Sequence, residues 1–153
     1  MKQKTPRKPR EKKPTKEWAD RLVSAIAILR DKRCVTCGSH EGLQPGHYFH
    51  RTHQSVRWVM QNVGCQCPRC NRLHNTNPEP LRKWIVKRFG AVAFEETSAM
   101  AGRPLRQPYM PEIIALLQGE LYQTPAFDGL SDSLKEKVMK GTFRNWELEA
   151  AIR

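Results

Sequence analysis

No stretch of this 153-residue chain approaches the roughly 18 consecutive apolar residues that a membrane-crossing helix requires, so a membrane partner is not expected. The basic N-terminus lacks the apolar segment of a secretory signal, which argues against export and for a cytoplasmic location. Acidic side chains are scarce. Fifteen Asp and Glu stand against 27 Lys and Arg, and the net charge of +12 points to polyanionic partners. Hydrophobic residues make up 39%, enough for one modest core, and a bound metal would add stability that so small a core lacks. No internal repeat is visible, and the length fits one small domain with extensions.

The charge is uneven. Residues 1–16 hold eight Lys and Arg against one acid, Glu11, with Pro6, Pro9 and Pro14 interrupting regular structure. This segment is expected to be a disordered basic tail attracted to nucleic acid, or else a solubilising arm or localisation signal. Residues 17–101 are read as the central domain with its leading helix, and residues 102–153 as a helical C-terminal extension.

Cysteine supplies the main positive signal. Cys34-Val-Thr-Cys37 and Cys67-Pro-Arg-Cys70 are each Cys-x-x-Cys, the spacing at which a tight turn presents two thiolates to one tetrahedral ion. A lone pair could be a redox dithiol; two pairs in a cytosolic basic chain make structural zinc the leading reading. The fifth cysteine, Cys65, is read as core or spare.

Periodicity predicts a helix over residues 15–32, with Trp18, Leu22, Ala25, Ile26 and Leu29 on one face and Asp20, Arg21, Arg30 and Asp31 on the other. Residues 47–49 and 56–60 are aromatic and β-branched enough to pair as a hairpin. A short helix is expected near residues 68–74. A stronger one runs over 78–89, with Thr76 and Glu79 as a capping box and Gly90 as its stop. Further helices are expected over 91–101, 111–122, 133–140 and 143–152. Lys83, Lys87 and Arg88 give the third helix a basic outer face. Trp58 and Trp84 are expected in the core.

Asn62, Cys67, Cys70 and Asn71 form an Asn-x4-Cys-x2-Cys-Asn string that resembles the second half of an HNH, or ββα-metal, nuclease motif. The first Cys-x-x-Cys and Gly46-His47-Tyr48 match its first half. From Cys34 to Gly90, with a basic helical leader, the chain is similar to the phage NinG/Rap recombination proteins, associated with cutting branched DNA such as Holliday junctions and displacement loops. The resemblance implies an α+β fold: a small zinc-braced, treble-clef-like HNH core with flanking helices. It implies a DNA endonuclease active in the bacterial host cytoplasm, with branched DNA and phage recombination proteins as partners and Asn62 bracing the hairpin.

The chemistry gives each residue a task. Water attacking a phosphodiester needs a base, and a neutral imidazole suits this; His47 is the candidate. A hard divalent ion, Mg²⁺ or Mn²⁺, needs oxygen or imidazole donors, offered by Asn71 and by His74 one helical turn on. Arg51, Arg57, Arg69, Arg72, Arg82 and Lys83 flank this region as candidate phosphate contacts, while His50 and His53 are read as loop residues or phosphate contacts. One departure stands out: many relatives carry an acid or histidine directly before the base, where this chain has Gly46. His74, His50 or Gln44 could replace that ligand, His74 being preferred. The rival readings are a non-catalytic zinc-finger DNA-binding or recombination accessory protein, an HNH nicking or site-specific enzyme, and a redox dithiol protein. Branched-substrate symmetry makes a homodimer attractive.

Overall fold

A computed structural model describes residues 13–104 and 107–153. The basic tail expected over residues 1–16 therefore lies largely outside the described residues. The architecture is mixed α and β. Helix α1 (Lys16–Asp31) leads to strand β1 (Gln44–His47), and a one-turn 3₁₀ helix (Met60–Asn62) leads into β2 (Val63–Gln66). Helices α2 (Pro68–Leu73), α3 (Glu79–Phe89), α4 (Ala91–Ala101), α5 (Met110–Tyr122), α6 (Pro125–Asp128), α7 (Asp132–Met139) and α8 (Asn145–Ile152) follow. None of the described helices is long and apolar enough to cross a membrane.

Helix α1 is the axis of the molecule. The Thr15 hydroxyl accepts from the Trp18 amide at 3.1 Å, which caps its N-terminus. Every residue from Leu22 to Leu29 is buried, a full turn-by-turn burial rather than the single apolar stripe read from the sequence. The reason is that α1 is packed from several sides: the hairpin lies on one, and α5 to α8 on others. Its polar residues join the interior too. Arg30 pairs with Asp31 at 2.6 Å and donates to the Val63 carbonyl at 2.7 Å, while Asp31 accepts from the Cys65 amide at 2.8 Å.

The two strands are antiparallel, with Gln44 opposite Gln66 and His47 opposite Val63. The hairpin expected over residues 47–49 and 56–60 is thus displaced outward from the turn on both sides. Residues 48–59 form a loop of turns instead, because Asn62 supplies the pairing that a ladder would otherwise provide. Its side chain accepts from the Phe49 amide at 2.8 Å and donates to the carbonyls of Phe49 and Val56 at 2.9 and 3.1 Å. Val56 and Trp58 serve as buried loop anchors, and Met60 as a buried residue of the 3₁₀ helix, rather than as strand residues. Gly64 lets α3 press onto β2: a Cβ there would lie 2.8 Å from a methyl of Leu81.

The capping box expected at the start of α3 does not form. The Thr76 hydroxyl turns back to the Leu73 carbonyl at 3.0 Å, and Asn77 accepts from the Glu79 amide at 3.3 Å. At the other end of the chain, α8 grips the entrance to β1. Glu149 accepts from the Leu43 amide at 2.7 Å, and the Asn145 side chain donates to the Leu43 carbonyl at 3.0 Å. Ile114, Leu117, Leu121, Phe127, Val138, Phe143 and Leu148 share one core with α1 and the hairpin.

Candidate functional site

The first Cys-x-x-Cys turns tightly, with the Gly38 amide donating to the Cys34 carbonyl at 2.8 Å and Gly38 at φ +78°. Cys67 is the N-cap of α2 and Cys70 lies within it. These elements bring the Sγ atoms of Cys34, Cys37, Cys67 and Cys70 within 4.8 Å of one another. Cys37 and Cys67 are 3.7 Å apart, close to the edge of about 3.8 Å that a tetrahedron with metal–sulfur bonds of about 2.3 Å requires. Burial opposes ionisation of Cys34, yet backbone amides of Cys67, Cys37 and Thr36 hold its thiol down to about 7. The donor set therefore fits zinc. Cys65, although fully buried nearby, is not part of this four-sulfur group.

A second feature lies at the end of the sheet. His47, Asn71 and His74 line one cleft of about 690 Å³, together with Arg51 and Arg72. The His47 Nε2 is 2.9 Å from the Arg57 carbonyl oxygen. A carbonyl can only accept, so Nε2 carries the proton and Nδ1 keeps a lone pair. Burial, reinforced by the charges of Arg51 and Arg57 and opposed by the bond to the Arg57 carbonyl, pushes the imidazole down to about 4. It is neutral at physiological pH and a weaker base than an unperturbed histidine.

Across the cleft, His74 Nε2 meets the Tyr48 carbonyl at 3.0 Å, while His74 Nδ1 is buried without a hydrogen-bond partner. Asn71 is held by its own backbone, its amide donating to the Cys67 carbonyl at 3.0 Å. Asn62 does not line the cleft; it is fully buried and shapes the loop that carries residues 48–56. Gln44 and His50 also line the cleft, whereas His53 turns to the Ala101 carbonyl at 3.2 Å. Among the described residues, the four cysteines are the one group of three or more Cys, His, Asp or Glu side chains close enough to share an ion. His74 belongs to no such group.

The basic residues separate. Arg51 and Arg72 line the cleft. Arg57 forks onto Asp20, at 3.0 Å to Oδ1 and 2.5 Å to Oδ2, and that carboxylate also accepts from the Trp58 indole at 2.9 Å. Arg82 pairs with Glu79 at 3.4 Å on an exposed surface and stacks over Phe94. Arg69 and Lys83 are exposed outside the cleft.

Gly46 has a steric explanation. A Cβ there would sit 2.1 Å from Oε1 of Gln66, whose side chain is buried and donates to the Thr36 hydroxyl at 2.9 Å. No ligand-bearing side chain fits that position without displacing Gln66. Among the cleft residues that escaped sequence reasoning are Asp20, Arg21 and Asn145. The first two read as the polar face of α1 and the third as part of a chemically silent helix, so no local signal marked them.

Comparison with known proteins places the chain in a family. A family profile described as "Bacteriophage Lambda NinG protein" matches residues 1–121. Protein ninG of Salmonella phage P22 is 30% identical over 94 residues, which cover 55% of this chain and 45% of that protein. The chain thus spans about half the length of the curated relative it matches. No solved structure matches. With the family profile covering most of its length, the chain belongs to the NinG family of bacteriophage proteins.

Proposed function

We propose that this protein is a DNA endonuclease of the HNH, or ββα-metal, kind, with the hairpin and α2 as the catalytic core and a zinc ion on Cys34, Cys37, Cys67 and Cys70 as its brace. The carrying observation is that a neutral histidine with an unused Nδ1 shares a cleft with Asn71, His74 and three guanidinium groups, those of Arg21, Arg51 and Arg72. In this reading His47 Nδ1 takes the proton of the attacking water. Arg51 and Arg72 hold phosphate oxygens, and Asn62 keeps the loop in place. Asn71 and His74 would hold Mg²⁺ or Mn²⁺, which when bound would offset charge on the scissile phosphate and leaving oxygen. His74 fills the role that Gly46 cannot, because its buried Nδ1 needs a partner.

Branched recombination intermediates are the proposed substrate, following the resemblance to the NinG/Rap proteins, with a homodimer and phage recombination proteins as partners. One observation favours a second reading, a zinc-braced DNA-binding accessory protein. The one cleft carboxylate, Asp20, is committed to Arg57 and Trp58, so the second ion site has no free acid. Incubating the zinc-loaded protein with a labelled four-way junction and a matched linear duplex, each with Mg²⁺, Mn²⁺ or no added ion, separates these. Ion-dependent cutting of the junction is expected; tight binding without cutting in every ion supports the accessory reading, and equal cutting of both DNAs points to a general nicking enzyme.

A further inference from the structure

Trp146 is an exposed aromatic residue with no packing role to explain it. It stands in the first turn of α8 with 65% of its surface accessible, while Leu148 two residues on is fully buried. Its position is nonetheless fixed. Asn145 is tied to the Leu43 carbonyl and Glu149 to the Leu43 amide, and the Arg144 amide donates to Glu147 at 2.6 Å. A rigid helix start therefore presents an indole to solvent.

What lies beside the indole gives it meaning. Trp146 lines a groove of about 810 Å³ with Arg144, Asn145, Arg21 and Gln44. Asn145, Arg21 and Gln44 also line the His47 cleft, so the two recesses adjoin across these side chains. Arg21 stands at their junction, donating to Asn145 Oδ1 at 3.3 Å and to the Phe143 carbonyl, with its guanidinium 4.1 Å above the Phe143 ring. Burial, helped by the Arg144 charge nearby, lowers the Arg21 guanidinium. A polyanion strand leaving the cleft would meet two positive charges and then a flat aromatic face.

We propose that Trp146 is a stacking platform for an unpaired nucleobase of the strand whose backbone occupies the His47 cleft. Every base has a π-face, so such a platform accepts any sequence, yet it rejects a fully paired duplex whose bases stack on each other. It would thereby favour branched or interrupted DNA over linear duplex. The inference rests on the reading of the cleft as a DNA site.

The test uses the full, zinc-loaded chain with no other divalent ion added. One DNA carries a single unpaired 2-aminopurine in a duplex; the other is its fully paired counterpart. Wild type is expected to bind the interrupted DNA more tightly and quench the probe. Trp146→Ala should lose about tenfold in affinity for the interrupted DNA and leave the paired duplex unchanged, whereas Trp146→Phe should keep most of the preference. An unaltered preference and quench in Trp146→Ala overturns the stacking role while leaving the cleft reading intact. Failure of wild type to bind either DNA overturns both. A thermal melt of each variant separates misfolding from lost stacking; if Trp146→Ala does not fold, Trp146→Leu, which keeps apolar bulk without an aromatic face, carries the decision, and its retaining the wild-type preference and quench overturns the stacking role.

Discussion

The His47 Nε2 sits 2.9 Å from the carbonyl oxygen of Arg57, and the Arg57 guanidinium is itself forked onto Asp20 of α1. A residue in the first helix thus orients the imidazole at the end of β1, acting through a loop residue. Asp20 positions the loop, both of its oxygens being engaged by Arg57 and Trp58. Asp20→Asn should cost about 2 kcal/mol of stability in urea unfolding, because a charge-assisted fork is lost from a partly buried site. It should also slow cleavage more than it weakens DNA affinity. A variant with wild-type stability would show that the fork does not hold the loop.

The depressed basicity of His47 makes stability depend on pH. Between its ordinary value of 6.5 and about 4, the unfolded chain binds a proton that the folded chain refuses. The contribution is therefore fully present above 6.5 and is lost as pH falls towards 4, on the order of 3 kcal/mol in all. Comparing wild type with His47→Gln in urea at pH 7 and pH 5 isolates it, since acid sensitivity of the cysteine cluster is common to both. Wild type should lose more stability than the variant over that interval; parallel losses would mean that His47 titrates normally.

Zinc content separates the fifth cysteine from the other four. Cys70→Ser should abolish stoichiometric zinc by elemental analysis and unfold the hairpin region, because structural zinc sites contribute folding free energy directly. Cys65→Ser should retain one zinc per chain, its site being walled off beside Asp31. Loss of zinc in Cys65→Ser would place that thiol in the ligand set.

Gly46 supplies a steric test. Gly46→Ala drives a methyl into Oε1 of Gln66 and should destabilise the protein by about 1 to 3 kcal/mol, measured by thermal or urea unfolding. Pairing it with Gln66→Ala should recover part of that loss. No recovery in the double variant would locate the strain elsewhere.

Local signals carried much of this fold. The spacing of Cys34, Cys37, Cys67 and Cys70 was sufficient to bring them together, because each pair needs only its own turn. Helical periodicity placed α1, α3, α4, α5, α7 and α8 within a few residues of their ends. The hairpin was misjudged because its true strands, Gln44–His47 and Val63–Gln66, are rich in Gln, Pro, Gly and Cys, whereas the β-branched and aromatic residues lie in the loop. Three-dimensional constraint overrode strand propensity there: Asn62 satisfies the loop, and Gly46 and Gly64 allow close packing on both strands. The short α6 also lacked a periodic signal. Illegible altogether was the wall of the cleft formed by Asp20, Arg21 and Asn145, since Arg21 and Asn145 are 124 residues apart and meet only through α1–α8 packing.

The central claim is that His47 performs the chemistry while the cysteine cluster only supports it. The most direct measurement is the single-turnover rate of junction cleavage by wild type and His47→Ala, at matched zinc content and matched DNA occupancy. The account predicts at least a hundredfold loss of rate in the variant, within the range of about 10² to 10⁴ for a removed general base, with zinc and binding unchanged. Cleavage by His47→Ala at the wild-type rate would contradict it.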